Sequence, residues 1–249
     1  MIKGILNHYA LVLETIAAAP CGLTLTEILH ATGLPQGTIH RLITGLLDTG
    51  FIEPSDGRKV YVLGSRLLRI LHLGTPTQVL DSLAAPVLQE LVDRFKETAF
   101  LAALTDSAVQ SVAMAVPSGK TQAYVQPGRV MPLHAAASAK AIFAYQDSAV
   151  VDGVLAGPLK KFTARSQIDK NGVRAELEQV RRDRFAACRE ELDPGIFSYT
   201  CPVQLDGLGL IYSIGLVGPA ERLRRFTERT IVAGLHDATN KISILLSSR

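Results

Sequence analysis

The sequence predicts an α+β fold in two domains joined by a short helix. Three observations predict it. Two short, capped helices precede a hairpin over 24–63, two apolar strand runs flank Asp206-Gly207 near the C-terminus, and amphipathic helices bracket the strand-rich region. A chain of 249 residues with 47% hydrophobic side chains is long enough to build two cores.

The first helix, 6–18, places Tyr9, Val12, Leu13 and Ile16 on one face and stops before Pro20 and Gly22. Thr24 and Glu27 have the spacing of a capping box, which satisfies orphan amides at a helix start. Gly33 supplies the stop. Pro35 then stands where a first helical residue needs no amide hydrogen, and Gly50 where a helix can end in a left-handed turn. Between them Ile39, Leu42, Ile43, Leu46 and Leu47 recur at helical spacing. One face is therefore buried, and Gln36, Gly37, Thr38, His40, Arg41 and Thr44 lie outside. Phe51 and Ile52 lead into a strand, Asp56-Gly57 is a hairpin signal, and Val60 to Leu63 return.

Two capped helices with a basic-tipped hairpin make a winged helix-turn-helix over 1–64, and its partner is double-stranded DNA. In a major groove Arg can take guanine bidentately, Gln can take adenine, and a Thr methyl can contact thymine. Arg58 and Lys59 at the wing tip can reach phosphates or a minor groove. The alternative is a winged-helix module that binds protein instead.

After Gly64, Leu67, Leu68, Ile70, Leu71 and Leu73 suggest a linking helix over 65–76, broken at Gly74 and Pro76. The second domain, 77–249, starts with an amphipathic helix over 79–95 interrupted only by Pro86. Strand-like runs follow at 99–104, 109–116 and 123–126, then helices at 135–145 and 176–185. Strands at 196–205 and 208–217 form a hairpin, and one last helix spans 219–246.

No apolar run approaches the roughly 20 residues that span a bilayer, and the N-terminus is a poor signal peptide, so a cytoplasmic protein without membrane contact is expected. Cys21, Cys188 and Cys201 are odd in number and lack CxxC spacing, so reduced thiols are the simplest reading. A thiol redox sensor acting through Cys188 or Cys201 is a further alternative. The histidines form no metal-ligand pattern, and neither metal nor cofactor is expected. Ser138, His134 and Asp147 are the best catalytic candidates, but no orienting carboxylate is identifiable beside His134, and no catalytic residue is assigned. A net charge of +3 is small for a DNA binder, so affinity should come from local cations and from doubling of the site in a homodimer or homotetramer.

Three segments carry a resemblance that covers nearly the whole chain: GLPQGTIHRLITGLLDTGFIE, the stretch from Gly128 to Ala144 (GRVMPLHAAASAKAIFA), and the hairpin from Cys201-Pro202-Val203 to Gly218-Pro219. They are similar to the isocitrate lyase regulator (IclR) family of bacterial transcription factors. The resemblance implies a GAF-like second domain that binds a small organic acid, and a homo-oligomer that controls a nearby catabolic operon. It places the effector between the Met131 and Leu133 segment, the first amides of a helix at Ala137 and Ser138, and the strand residues Cys188, Ile196, Ser198, Gly215 and Val217. A helix start suits an anion. Where relatives often carry acids or hydroxyls, Cys188, Gly215 and Val217 imply a roomier, less polar pocket, suited to a larger and possibly aromatic acid. Lys140, following Ala139 where relatives often have glycine, reads as a structural or surface group rather than a ligand contact.

The wing assignment has a direct consequence. Arg58→Ala and Lys59→Ala should each weaken binding to all DNA sequences alike and lower the salt slope by about one, measured by titrating affinity against salt.

Overall fold

A computed structural model describes residues 4–19, 21–55, 60–64, 66–67, 70, 74–105, 108–118, 125–205 and 209–247. The chain divides into two compact units between Gly74 and Thr75.

The first unit contains α1 (Ile5–Ala17), β1 (Leu23–Thr24), α2 (Leu25–Thr32), α3 (Gln36–Asp48), β2 (Ile52–Pro54) and β3 (Val60–Leu63). The capping box is reciprocal. Glu27 N donates to Thr24 Oγ1 at 3.3 Å, and Thr24 N donates to Glu27 Oε2 at 2.7 Å. Those bonds from Thr24 hold the Glu27 carboxyl below its usual value. Gly33 ends α2 in the left-handed region at φ 65°. Pro35 is the cap of α3 rather than its first helical residue, because its ψ of 143° is extended and its carbonyl accepts from the Thr38 and Ile39 amides. Val12, Ile16, Ile28, Ile39, Leu42, Ile43, Leu46 and Ile52 form the core. The three strands pair in the order β1-β3-β2, all antiparallel. The expected hairpin turn with Arg58 and Lys59 lies outside the described residues, as do Leu68, Leu71 and Leu73 of the expected linker. Arg66, Leu67 and Ile70 are helical. Arg66 is anchored to the first unit, since Nη1 donates to Thr49 O at 3.0 Å and its guanidinium lies over Phe51.

The second unit begins with α4 (Thr77–Phe95), in which Pro86 occupies the exposed face. Its strands are β4 (Thr98–Thr105), β5 (Ala108–Ala115), β6 (Val130–Met131), β7 (Ala186–Arg189), β8 (Ile196–Leu205) and β9 (Gly209–Pro219). They form one antiparallel sheet in the order β6-β5-β4-β9-β8-β7. Near-continuous burial along β4 and β8, in place of alternation, means the sheet is covered on both faces. The remaining helices are α5 (Ala137–Phe143), α6 (Ser148–Leu155), α7 (Lys170–Asp183), α8 (Ala220–Leu223) and α9 (Glu228–Ser247).

Several elements depart from the sequence expectation, each for a local reason. A two-residue strand lies at Val130–Met131; of the strand expected over 123–126, residues 123–124 lie outside the described residues, Val125 is a bend and Gln126 is irregular. The expected helix over 135–145 is shorter, because the Ala135 and Ala136 amides close a turn onto Pro132 O. The helix expected from Glu176 starts at Lys170, where Asp169 accepts from Gly172 N at 2.7 Å. The single C-terminal helix is two, with Thr227 Oγ1 accepting from Thr230 N at 3.1 Å to start α9. The short helix α6 was not anticipated.

One buried cation joins three of these elements. Lys140 on α5 is 0% exposed. Its Nζ donates to Glu176 Oε1 on α7 at 2.7 Å, to Glu191 after β7, and to Ala187 O on β7 at 3.4 Å. Burial alone would lower its pKa, but Glu176 and Glu191 outweigh it, so the group titrates above an ordinary lysine. Burial pushes Glu176 upward, with Lys140 pulling it back. Lys140→Met, which leaves two carboxylates facing an apolar group, should cost about 3–5 kcal/mol in urea unfolding. The raised lysine pKa sets the pH window. The deficit should be constant from neutral pH to about 10, then shrink as wild type loses the proton above the unfolded value of about 10.4.

Candidate functional site

In the first unit the outer face of α3 presents exposed Gln36, Gly37, His40, Arg41 and Thr44, with Thr38 half-buried. Thr44 Oγ1 donates to His40 O at 2.9 Å, so its hydroxyl is engaged within the helix. Among the described residues no side chain caps the start of α3, where the Thr38 and Ile39 amides donate to Pro35 O.

In the second unit, side chains from both halves of the sheet enclose an apolar cavity. Its lining comprises Phe100 on β4, Cys188 on β7, Ile196 and Ser198 on β8, Val217 on β9, Ala136 to Ser138 at the start of α5, Val125, Arg129 and Met131, and Leu192 and Asp193. Ladder pairing places Ser198 between Cys188 and Val217. No side chain caps α5, and Ala136 to Ser138 are almost fully buried. The volume open to water-sized centres is only about 30 Å³. The expectation of a less polar pocket fits this lining, but that of a roomier one does not. A benzene-sized guest needs on the order of 150 Å³.

Seven of the nine positions expected at the effector site therefore meet here: Met131, Ala137, Ser138, Cys188, Ile196, Ser198 and Val217. Leu133 and Gly215 do not line the cavity. Leu133 is buried in the turn before α5. Gly215 pairs with Phe100 and Thr200, and a Cβ there would lie 2.6 Å from Thr200 Oγ1, 2.8 Å from Tyr199 O and 2.9 Å from the Phe100 ring. It is a close-approach glycine in the sheet rather than a wall. Sequence reasoning missed Phe100, Val125, Ala136 and Leu192, which no pattern in the sequence singles out. It also missed Arg129 and Asp193, 64 residues apart, which no local pattern connects.

The catalytic candidates have other roles. His134 Nε2 is 2.8 Å from Lys160 O, and its ring stacks on Phe162. Asp147 precedes α6 as its cap residue. Among the described residues no group of three His, Cys, Asp or Glu could hold a metal ion. Burial argues against a redox role for the thiols. It raises the Cys188 pKa and pushes Cys201 up to about 12, so both are thiols at neutral pH. Cys188 pairs with Ser198, three residues from Cys201, so the two sulfurs lie on opposite sheet faces. A larger, open groove lies among Tyr145, Arg181, Arg184, Gln204, His236 and Asn240, and it contains none of the expected effector positions.

Comparison with known proteins gives this geometry a context. Residues 76–244 match the family described as bacterial transcriptional regulator IclR C-terminal, and residues 9–56 match the IclR helix-turn-helix domain. The chain belongs to the IclR family. It is a transcriptional regulator with a helix-turn-helix and a C-terminal effector domain. It is 29% identical over 243 residues to the glycerol operon regulatory protein of Streptomyces coelicolor, covering 96% of this chain and 94% of that one. It is 28% identical over 214 residues to "Probable transcriptional regulator SauR" of Cupriavidus necator, covering 85% and 84%. Among solved structures, an IclR homologue from Microbacterium hydrocarbonoxydans, complexed with 4-hydroxybenzoate, superposes with a TM-score of 0.64 at 22% identity, covering 99% of this chain and 100% of that one. No helix among the described residues is long and apolar enough to cross a membrane.

The Gly215 geometry changes how the IclR effector domain should be probed. Gly215→Ala should lower stability by about 1–3 kcal/mol through overpacking. Leucine there should damage the fold rather than selectively fill the cavity. Thermal denaturation checks this, and an unchanged melting temperature for Gly215→Ala would contradict the close approach.

Proposed function

We propose that this regulator senses an aromatic carboxylate, and that occupancy of the cavity changes its affinity for operator DNA near a catabolic operon. The cavity carries the reading. Its walls are apolar, the uncapped start of α5 can hold a carboxylate, and Ser198 supplies a hydroxyl. The relative bound to 4-hydroxybenzoate supports an acid of this size. Because the cavity is narrow, binding must part its walls. That displacement is the differential interaction through which a ligand can shift a two-state equilibrium.

On the DNA side Arg41, Gln36 and Thr38 read base edges from α3, with Gly37, His40 and Thr44 on the same face and Arg58 and Lys59 on the backbone. Residues 65–76 act as the linker between the two domains. Two or four copies act together, since one winged helix with a small positive surplus binds weakly, whereas half-sites about a helical turn apart multiply affinity. The protein works in the cytoplasm, where its operator is.

The test combines both ends. Calorimetry with benzoate and 4-hydroxybenzoate should show saturable binding, and the bound acid should change affinity for DNA flanking the protein's own gene. Arg41→Ala should lose about 1–3 kcal/mol of specific DNA affinity while still binding the acid. Wild-type affinity in Arg41→Ala would remove α3 from the major groove. Binding of only neutral or cationic ligands would remove the carboxylate.

A further inference from the structure

Among the described residues, two charged side chains line the cavity, and they are bonded to each other. Arg129 Nη2 donates to Asp193 Oδ2 at 3.2 Å. Their side chains are 37% and 44% exposed, whereas Phe100, Met131, Ala137, Cys188 and Val217 are each no more than 4% exposed. The ion pair is thus the solvent rim of a buried apolar space.

Its place in the sheet is unusual. Arg129 immediately precedes β6, one edge strand, and Asp193 lies in the turn after β7, the opposite edge strand. The bridge therefore joins the two edges of a six-stranded sheet across the cavity. The Asp193 side is held firmly. Thr163 and Ser166 hydroxyls donate to the Glu190 and Glu191 carbonyls at 2.7 Å, and Glu191 also binds buried Lys140. The Arg129 side hangs from β5 through the Gly128 amide to Ser111 O and the Ser111 amide to Arg129 O.

We infer that the Arg129–Asp193 bridge is the gate of the cavity, and that the effector carries a second anionic group that takes Arg129 from Asp193. The second part rests on the reading that the cavity takes a carboxylate. A guanidinium fork pairs with any carboxylate, so a ligand carboxylate that replaces Asp193 takes over its charge-assisted hydrogen bonds, while Asp193, 44% exposed, returns to water. A ligand with one acidic end leaves Arg129 with Asp193 and gains nothing at the rim. The favoured class is an aromatic diacid, with an apolar body in the cavity and one anion at each end.

The full-length protein tests the two parts separately. Calorimetry should find at least one of the three benzenedicarboxylates binding about tenfold tighter than benzoate or better. Arg129→Gln should collapse that ratio to about one, whereas Asp193→Asn, which removes the competing carboxylate, should increase it. Opposite effects from the two halves of one bridge would not arise from a merely structural pair. No diacid preference in wild type, or a preference that survives Arg129→Gln, overturns the second-anion assignment.

The gate itself is read without ligand, by the rate at which a thiol reagent labels Cys188 in a Cys21→Ser background. Both substitutions should speed labelling several-fold, and unchanged rates overturn the gate. If wild type binds none of these acids, the carboxylate reading of the cavity fails along with the second anion, while the labelling rates still decide the gate.

Discussion

Lys140 is the constraint on which the arrangement of the effector domain depends. An ammonium with no exposure must find anions, and the chain supplies Glu176 from α7 and Glu191 from the turn after β7. Those bonds fix α5 against β7, since the same ammonium reaches Ala187 O beside Cys188. The start of α5, the Cys188 wall and the Leu192–Asp193 turn are three sides of the cavity, and one cation sets their mutual position. A hydrophobic residue could fill the same volume without specifying that geometry.

The cavity is then a place where stiffness and compliance meet. Its sheet walls are held by ladder pairing, with Phe100, Gly215 and Thr200 packed so closely that even a methyl would not fit. Among the described residues Thr200 Oγ1 beside them is buried without a hydrogen-bond partner. Among the described residues the opposite wall, around Val125 to Met131, connects to the sheet through a two-residue strand, backbone bonds to Ser111 and the Arg129–Asp193 bridge. Since the space is smaller than an aromatic ring requires, any such ligand must displace part of its lining. Coupling to DNA needs only that one bound arrangement be favoured over the other.

The expectations that held rest on physics confined to a few neighbouring residues. Thr24 with Glu27, Gly33, and the Ile39, Leu42, Ile43 and Leu46 stripe each define a helix end or face within one or two turns, and the first unit follows them closely. Long strands such as β8 and β9 were equally legible, because their apolar runs end at strong turn residues. The misplacements occurred where capping or short pairing decides the outcome. Asp169 extends α7 by six residues, Thr227 divides the C-terminal helix, and β6 is too short to show any period.

By itself the sequence determined the winged helix-turn-helix, its exposed α3 face, the α+β class of the second unit and most residues of its cavity, because caps, periodicity and family motifs are local. Only the tertiary structure decided that Gly215 is packed within the sheet, that Leu133 is buried in the turn away from the cavity lining, that the cavity is narrow, and that Arg129 and Asp193 meet across it. Each of these depends on which side chains from distant strands converge, and an alternation pattern says which residues share a face without saying how far apart two faces or two edges will stand.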